Sequence, residues 1–277
     1  MRITKLHPDE VDIDLSKVAA LVADQFPQWA GLPLTPVKSS GTDNVMLRLG
    51  DDLVVRLPRI LSAALSLAKE LKCASMLGAQ LPVPISVPLA EGVPGQATKK
   101  LALDQAHFVT HLHALDTSGG TAEELTSYCA FHPATRDAET RTAIASCEGP
   151  LDTAELTAAW DKVKRSNETS QPETWIHTDL QPGNLLVADG RLAGVLDWGG
   201  LAIGDPAVDL IVAWNLLDAS ARATFRAAVN VDDSTWDRGR VWALSIGIVA
   251  YPYYVDSNPA LAAVSRHQIE QVLADLG

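Results

Sequence analysis

The sequence is short of cysteine, of basic charge and of long apolar runs, and each shortage removes a class of protein. Its 277 residues include three cysteines, Cys73, Cys129 and Cys147. They form no C-x-x-C pair and are odd in number, so a disulfide framework is not expected. They read instead as small buried hydrophobes in a reduced, cytoplasmic setting. The opening residues, MRITKLHPDEVDID, lack the apolar segment of a signal peptide. The longest uncharged apolar stretch, Val241 to Val255, is too short to span a bilayer and is broken by Pro252. It reads as a buried helix followed by an irregular segment, and no membrane partner is expected. Internal repeats and low-complexity tracts are absent from the sequence.

The shortage of positive charge is one-sided. Lys and Arg number 22 against 34 Asp and Glu, for a net charge of −12. Residues 1–100 hold 11 basic against 10 acidic side chains, net +1, whereas residues 101–277 hold 11 against 24, net −13. A strongly acidic second half excludes nucleic acid as a partner, because its phosphates need basic side chains. It would draw in a cationic small molecule by long-range attraction. A plain solubility role for the same surface is the alternative.

The chain is long enough to bury a sizeable core as one large domain or two lobes. One stretch, Trp175 to Leu210, carries the chemistry. His177-Thr178-Asp179 is followed by Asn184 in the spacing H-x-D-x-x-x-x-N, and Asp197-Trp198-Gly199 begins thirteen residues after that Asn. This is the order of a kinase catalytic centre. Leu185-Leu186-Val187, a turn at Ala188-Asp189-Gly190, and a second run from Arg191 to Leu196 read as a β-hairpin. The ends of a hairpin lie side by side, which predicts that Asn184 and Asp197 meet. An amide oxygen and a carboxylate are hard oxygen ligands suited to Mg²⁺, which keeps several waters and takes its other ligands from nucleotide phosphates. Asp179, in a loop tied down by Pro182 and Gly183, can orient an acceptor hydroxyl and accept its proton. Phosphoryl transfer asks the protein mainly to position groups and neutralise charge, so one base and two metal ligands supply much of what is needed.

This segment resembles the catalytic segment of the aminoglycoside phosphotransferase family, relatives of the protein kinases that phosphorylate small molecules. The family pattern of H-x-D-x-x-x-x-N, D-[FWL]-G and G-D-P-x-x-D-L is met residue by residue, the last part by Gly204-Asp205-Pro206 and Asp209-Leu210. The resemblance is specific for fold and phosphotransfer and much weaker for the acceptor. It implies that Asp209 braces the catalytic loop.

The rest of the chain fits around that centre. Leu15, Val18, Leu21 and Val22 recur at a helical period behind a capping Asp14. From Leu34 to Pro58 the pattern turns to strands: Leu34 to Ser40, then Val45 to Leu49, a Gly50-Asp51-Asp52 turn, and Leu53 to Leu57. Ser40, Gly41 and Thr42, in the loop joining the first two, are expected to lay backbone N–H groups and hydroxyls over nucleotide phosphates. Arg56 stands where a protein kinase has its phosphate-pairing Lys. It stays charged and can grip phosphate oxygens bidentately. Pro58 to Leu77 reads as a helix, and by resemblance its Glu70 pairs with Arg56. The resemblance further places an adenine-holding hinge near Val87 to Glu91, with Val87 and Leu89 as backbone contacts, in a first lobe that is shortened relative to the family. Gly92-Val-Pro-Gly-Gln reads as the linker.

Leu101 to Leu115 reads as a helix carrying His107, His111 and His113. A pair at i, i+4 can bind zinc, but no H-E-x-x-H or Cys partner accompanies this one, so structural histidines are expected. Between Thr121 and Gln171, Glu123, Glu124, Asp137, Glu139, Asp152 and Glu155 form either an acceptor wall or a solvated acidic face. Asp205 and Pro206 open a helix, Trp214, Trp236 and Trp242 with Tyr251, Tyr253 and Tyr254 read as core or pocket wall, and a helical tail spans Leu261 to Leu276.

The expectation is a two-lobed, protein-kinase-like α+β fold. A small antiparallel-sheet lobe covers residues 1–92, with the hinge near 87–92, and a mainly helical lobe covers 93–277. Mg²⁺ and ATP or GTP are the expected cofactor and donor, and the protein is expected to be a cytoplasmic monomer or weak dimer. The expected reaction moves the γ-phosphoryl group to a hydroxyl of a small cationic antibiotic, first of all an aminoglycoside. The alternatives are another acceptor (a macrolide, a basic peptide antibiotic, choline or a sugar metabolite), a nucleotide-binding protein with little turnover, or a zinc hydrolase built on the histidines.

Overall fold

The computed structural model describes residues 3–5, 10–37, 42–64, 67, 77, 80–82, 98–118, 133–147, 151–164 and 172–277. The chain divides into two compact units, Met1–Leu71 and Lys72–Gly277.

In the first unit, helix α1 (Leu15–Gln25) begins at Asp14, whose carboxylate accepts from Ser16 N–H at 2.9 Å and closes the open helix end. Strands β1 (Leu34–Pro36), β2 (Asn44–Leu49) and β3 (Leu53–Pro58) form an antiparallel sheet in that order. The small core follows from two periodicities. Val18 and Val22, one helical turn apart, pack with Val45, Leu47 and Leu49, alternate residues on one face of β2. Arg59, just past β3, makes a buried ion pair with Glu10 at 2.8 Å.

The second unit is mainly helical. Helix α2 (Lys99–His113) is followed by α3 (Asp137–Ser146) and α4 (Thr153–Val163). Two short antiparallel pairs come next: β4 (Thr174–Ile176) with β7 (Ala202–Gly204), and β5 (Leu185–Ala188) with β6 (Arg191–Val195). Asp205 caps the following segment as expected, but Pro206–Ile211 is a 3₁₀ helix, and α-helix resumes only at α5 (Val212–Asn215). Helices α6 (Ala219–Val229), α7 (Asp233–Tyr254) and α8 (Pro259–Leu276) complete the unit.

Helix α7 runs through the core. Val241, Trp242, Ala243, Leu244 and Ile248 are all buried, so its apolar character extends around the whole helix. The sequence suggests that this helix gives way to irregular chain at Pro252. The helix instead continues through Pro252 to Tyr254. Proline cannot donate to the Ile248 carbonyl one turn earlier, and the buried Cys147 thiol approaches that oxygen at 4.0 Å. Among the described residues no helix is long and apolar enough to cross a membrane.

Candidate active site

Strand pairing brings the site together. Strands β4 and β7 pair with Trp175 opposite Ile203, and inside them β5 and β6 pair with Leu185 opposite Val195. The two connecting loops, 177–184 and 196–201, must therefore face one another. Three hydrogen bonds cross between them. The Leu196 N–H donates to the Asn184 carbonyl at 2.8 Å, His177 Nε2 meets the Leu196 carbonyl at 2.9 Å, and the Thr178 hydroxyl donates to the Gly200 carbonyl at 3.1 Å. His177 is fully buried and lies edge-on to Trp198, with ring centroids 4.8 Å apart. Its Nδ1 accepts from the Asp179 N–H at 3.3 Å. A carbonyl can only accept and an N–H can only donate, so Nε2 is the donor and Nδ1 the acceptor, and the ring orientation is fixed.

Asp179 is presented from the middle of the first loop. Its Oδ2 accepts from Asn184 Nδ2 at 2.8 Å and from Gln181 Nε2 at 3.2 Å. Asn184 Nδ2 also reaches the Asp179 backbone carbonyl at 2.9 Å, so both of its amide protons are taken up on the Asp179 side. Asp179 keeps part of its surface open, yet burial pushes its carboxyl above the ordinary aspartate range, and the charge of Asp197 across the gap pushes it the same way. The nearby His177 and the donors from Gln181 and Asn184 oppose that rise.

Both loops use unusual backbone. Thr178 has φ of 74° and Asp197 has φ of 57°. A β-branched residue is seldom found there, and such strain persists only where surrounding contacts enforce it. The enforcing group is Asp209, buried with no exposed surface. Its Oδ2 accepts from the His177 N–H at 3.0 Å and its Oδ1 from the Thr178 N–H at 2.8 Å, the contact that the resemblance implied. Gly200 completes the fit. A Cβ there would collide with Thr178 Oγ1 and stand 3.1 Å from the His177 carbonyl, so the approach of the two loops admits only glycine.

The candidate residues of the sequence thus fall into three groups. Asp179 and Asn184 are hydrogen-bonded, and Asp197 lies close enough for its charge to act on Asp179. Thr42 and Arg56 belong to the first unit, where both are half-buried. Arg56 sits on β3 opposite Met46. Ser40, Gly41, Glu70, Val87 and Leu89, with the hinge, lie outside the described residues. Several contributors were not singled out: Gly200, Gln181, and Asn215, whose amide donates to the Leu180 carbonyl at 2.8 Å. Arg238 was missed too. It grips Asp205 with two bonds of 2.7 and 3.0 Å. Gln181 was findable by its place within the motif, whereas the partners at 215 and 238 leave no local signal. Of the helix histidines, His107 and His111 lie with ring centroids 6.1 Å apart, His111 meets the Gln80 carbonyl at 2.7 Å, and His113 meets Asp209 at 3.0 Å. Among the described residues no three His, Cys, Asp or Glu side chains gather as a metal site.

Against this geometry, the family model of the phosphotransferase enzyme family matches residues 34–242, most of the chain. The chain belongs to that family. Its fold is the kinase-like one of solved members. An aminoglycoside 2'-phosphotransferase-IIIa in complex with GDP is 18% identical with a TM-score of 0.73, over 96% of this chain and 100% of that one. A macrolide 2'-phosphotransferase type I is 19% identical with a TM-score of 0.65, over 97% and 98%. A macrolide 2'-phosphotransferase from Brachybacterium faecium is 23% identical with a TM-score of 0.60, over 95% and 98%. No curated protein sequence matches.

Proposed function

We propose that this phosphotransferase moves the γ-phosphoryl group of ATP or GTP to a hydroxyl of a small cationic antibiotic, an aminoglycoside first of all. The observation that carries the reading is the Asp179 carboxylate. One of its oxygens is held by two amides, and its second oxygen is left for an acceptor hydroxyl. In the reaction the acceptor oxygen bonds to the γ-phosphorus, the bond to the β–γ bridging oxygen breaks, and the nucleoside diphosphate leaves. The hydroxyl proton passes to Asp179.

Asn184 and Asp197 are the residues that would hold Mg²⁺. Both Asn184 amide protons point to Asp179, which leaves its Oδ1 as a hard donor, and Asp197 supplies a carboxylate from the facing loop. Two protein oxygens suit an ion that keeps waters and phosphate oxygens in its shell, and when bound it would neutralise phosphate charge. Arg56 and the 40–42 loop are assigned to the phosphates, Glu70 to Arg56, and Val87 and Leu89 to the base. A cationic acceptor is supported by the net −13 of residues 101–277. A macrolide is the second reading, supported by the macrolide 2'-phosphotransferases among the solved neighbours.

The test is a coupled assay with Mg²⁺-ATP and Mg²⁺-GTP against aminoglycosides, macrolides, basic peptide antibiotics and choline, followed by mass spectrometry for an added phosphate. A phosphorylated aminoglycoside supports the first reading and a phosphorylated macrolide the second. Nucleotide binding without product on any acceptor overturns both. Asp179→Asn should lower turnover by about 10²-fold or more in a folded protein. Undiminished turnover removes Asp179 as the base.

A further inference from the structure

We propose that His113, the last residue of α2, is a positioning residue for phosphoryl transfer: it locks Asp209 and, through Asp209, the strained backbone that presents Asp179. This role rests on Asp179 being the base. Asp209 has no exposed surface and receives three bonds, from the His177 N–H, the Thr178 N–H and His113 Nε2. The first two come from the loop being held. Among the described residues His113 alone ties the carboxylate to a separate element, and its own side chain is 12% exposed. A buried carboxylate is anchored only as firmly as its donors, so removing this one leaves Asp209 able to turn with the loop.

Helix α2 is well placed to transmit that restraint because its other end is fixed to the same hairpin. The Thr98 hydroxyl that caps α2 donates to the Gly190 carbonyl at 2.9 Å, in the turn between β5 and β6. Nearly two turns on, Asp104 takes two bonds from Arg191, at 2.6 and 2.7 Å, and one from the Leu192 N–H at 3.1 Å. The helix is thus a strut about 20 Å long between the tip of the catalytic hairpin and the base of the catalytic loop. Thr178, at φ 74°, sits where the strut ends, directly before Asp179. Small displacements of a reacting group carry large rate penalties.

The experiment compares His113→Leu and His113→Gln in the full chain. Leu keeps a similar apolar volume without the donor, and Gln places an amide N–H near the position of Nε2. Two readouts are taken: amide hydrogen exchange of the segment containing residues 177 and 178, and steady-state kinetics with Mg²⁺-ATP or Mg²⁺-GTP and kanamycin. His113→Leu should speed exchange at residues 177 and 178 by about tenfold or more while exchange over residues 99–109 stays as in wild type. It should lower kcat by roughly 10- to 100-fold with KM for nucleotide little changed, and His113→Gln should restore most of both. Wild-type exchange and wild-type kcat in His113→Leu overturn the proposal. So does a loss of helix protection that Gln fails to rescue, which marks a merely structural residue. Exchange does not depend on turnover. Faster exchange in His113→Leu beside an Asp179→Asn enzyme of full activity would therefore refute the base and leave the anchoring role of His113 standing.

Discussion

At the residue scale the site is built from groups that are unfavourable alone. Gly200 and Thr178 are paired by necessity, because the loop carrying Asp197 can approach the strained Thr178 only where no Cβ intervenes. Gly200→Ala should therefore destabilise the protein by about 2–3 kcal/mol in urea unfolding and depress kcat, through forced separation of the two loops. Asp179 behaves in the opposite way. Its carboxyl is raised above the ordinary value of 3.8 by burial and by Asp197, so ionisation is harder in the folded state than in the unfolded chain. The penalty is absent below that ordinary value, where both states are protonated, and is complete above the raised one. In metal-free protein Asp179→Asn should accordingly raise Tm at pH 7.5, with the gain vanishing as the pH falls towards 4, a stability–activity trade-off readable by calorimetry. The grouping of Asp179 with Asn184 and Asp197 was legible because their spacing is local to one hairpin. Gly200 was hidden because its constraint is a contact with Thr178, and proximity of that kind is set by the β4–β7 pairing rather than by any motif.

At the element scale, the Gly204-Asp205-Pro206 turn is clamped from a helix that begins nearly thirty residues later in the chain. Arg238 is 1% exposed and grips Asp205 bidentately, while Asp205 Oδ1 caps the 3₁₀ segment through the Ala207 N–H at 3.1 Å. One turn of α7 is therefore fastened to the segment that carries Asp209. The neighbouring Gly239 allows that approach, since a Cβ there would lie 2.8 Å from Leu210 Cβ. Arg238→Leu leaves Asp205 unpaired in a poorly solvated place and should cost about 2–4 kcal/mol. If the loss is the stranded charge rather than missing packing, Asp205→Asn should recover part of it in the double variant, a coupling read from urea midpoints. Elements were legible from sequence wherever periodicity decided them: α1 with its Asp14 cap, β2 and β3, the β5–β6 hairpin and α2. Pro252 misled because its rule concerns the donor it lacks. That loss falls in the last turn of α7, where the Cys147 thiol meets the orphaned carbonyl from a different helix.

At the scale of the whole molecule, the second unit carries an excess of negative charge that its own cations cannot neutralise. Every described arginine in it, from Arg136 to Arg266, is already in an ion pair with Asp or Glu, for example Arg141 with Asp137, Arg226 with Asp233 and Arg240 with Asp237. The net −13 of residues 101–277 therefore belongs to acidic side chains that act on solvent and on whatever approaches. Surface ion pairs add little to stability, so the consequence lies in encounter with ligands. A polycationic acceptor should be attracted over a distance that contracts from about 30 Å at 0.01 M salt to about 10 Å at 0.1 M. Raising salt across that range at constant Mg²⁺ should lower kcat/KM for an aminoglycoside by about fivefold, through KM with kcat unchanged, because screening weakens approach and leaves the desolvated Asp179–Asn184 contact intact. An uncharged acceptor should show no such slope. Equal salt dependence for charged and uncharged acceptors would assign the effect to the nucleotide phosphates and remove the acidic surface from acceptor recognition.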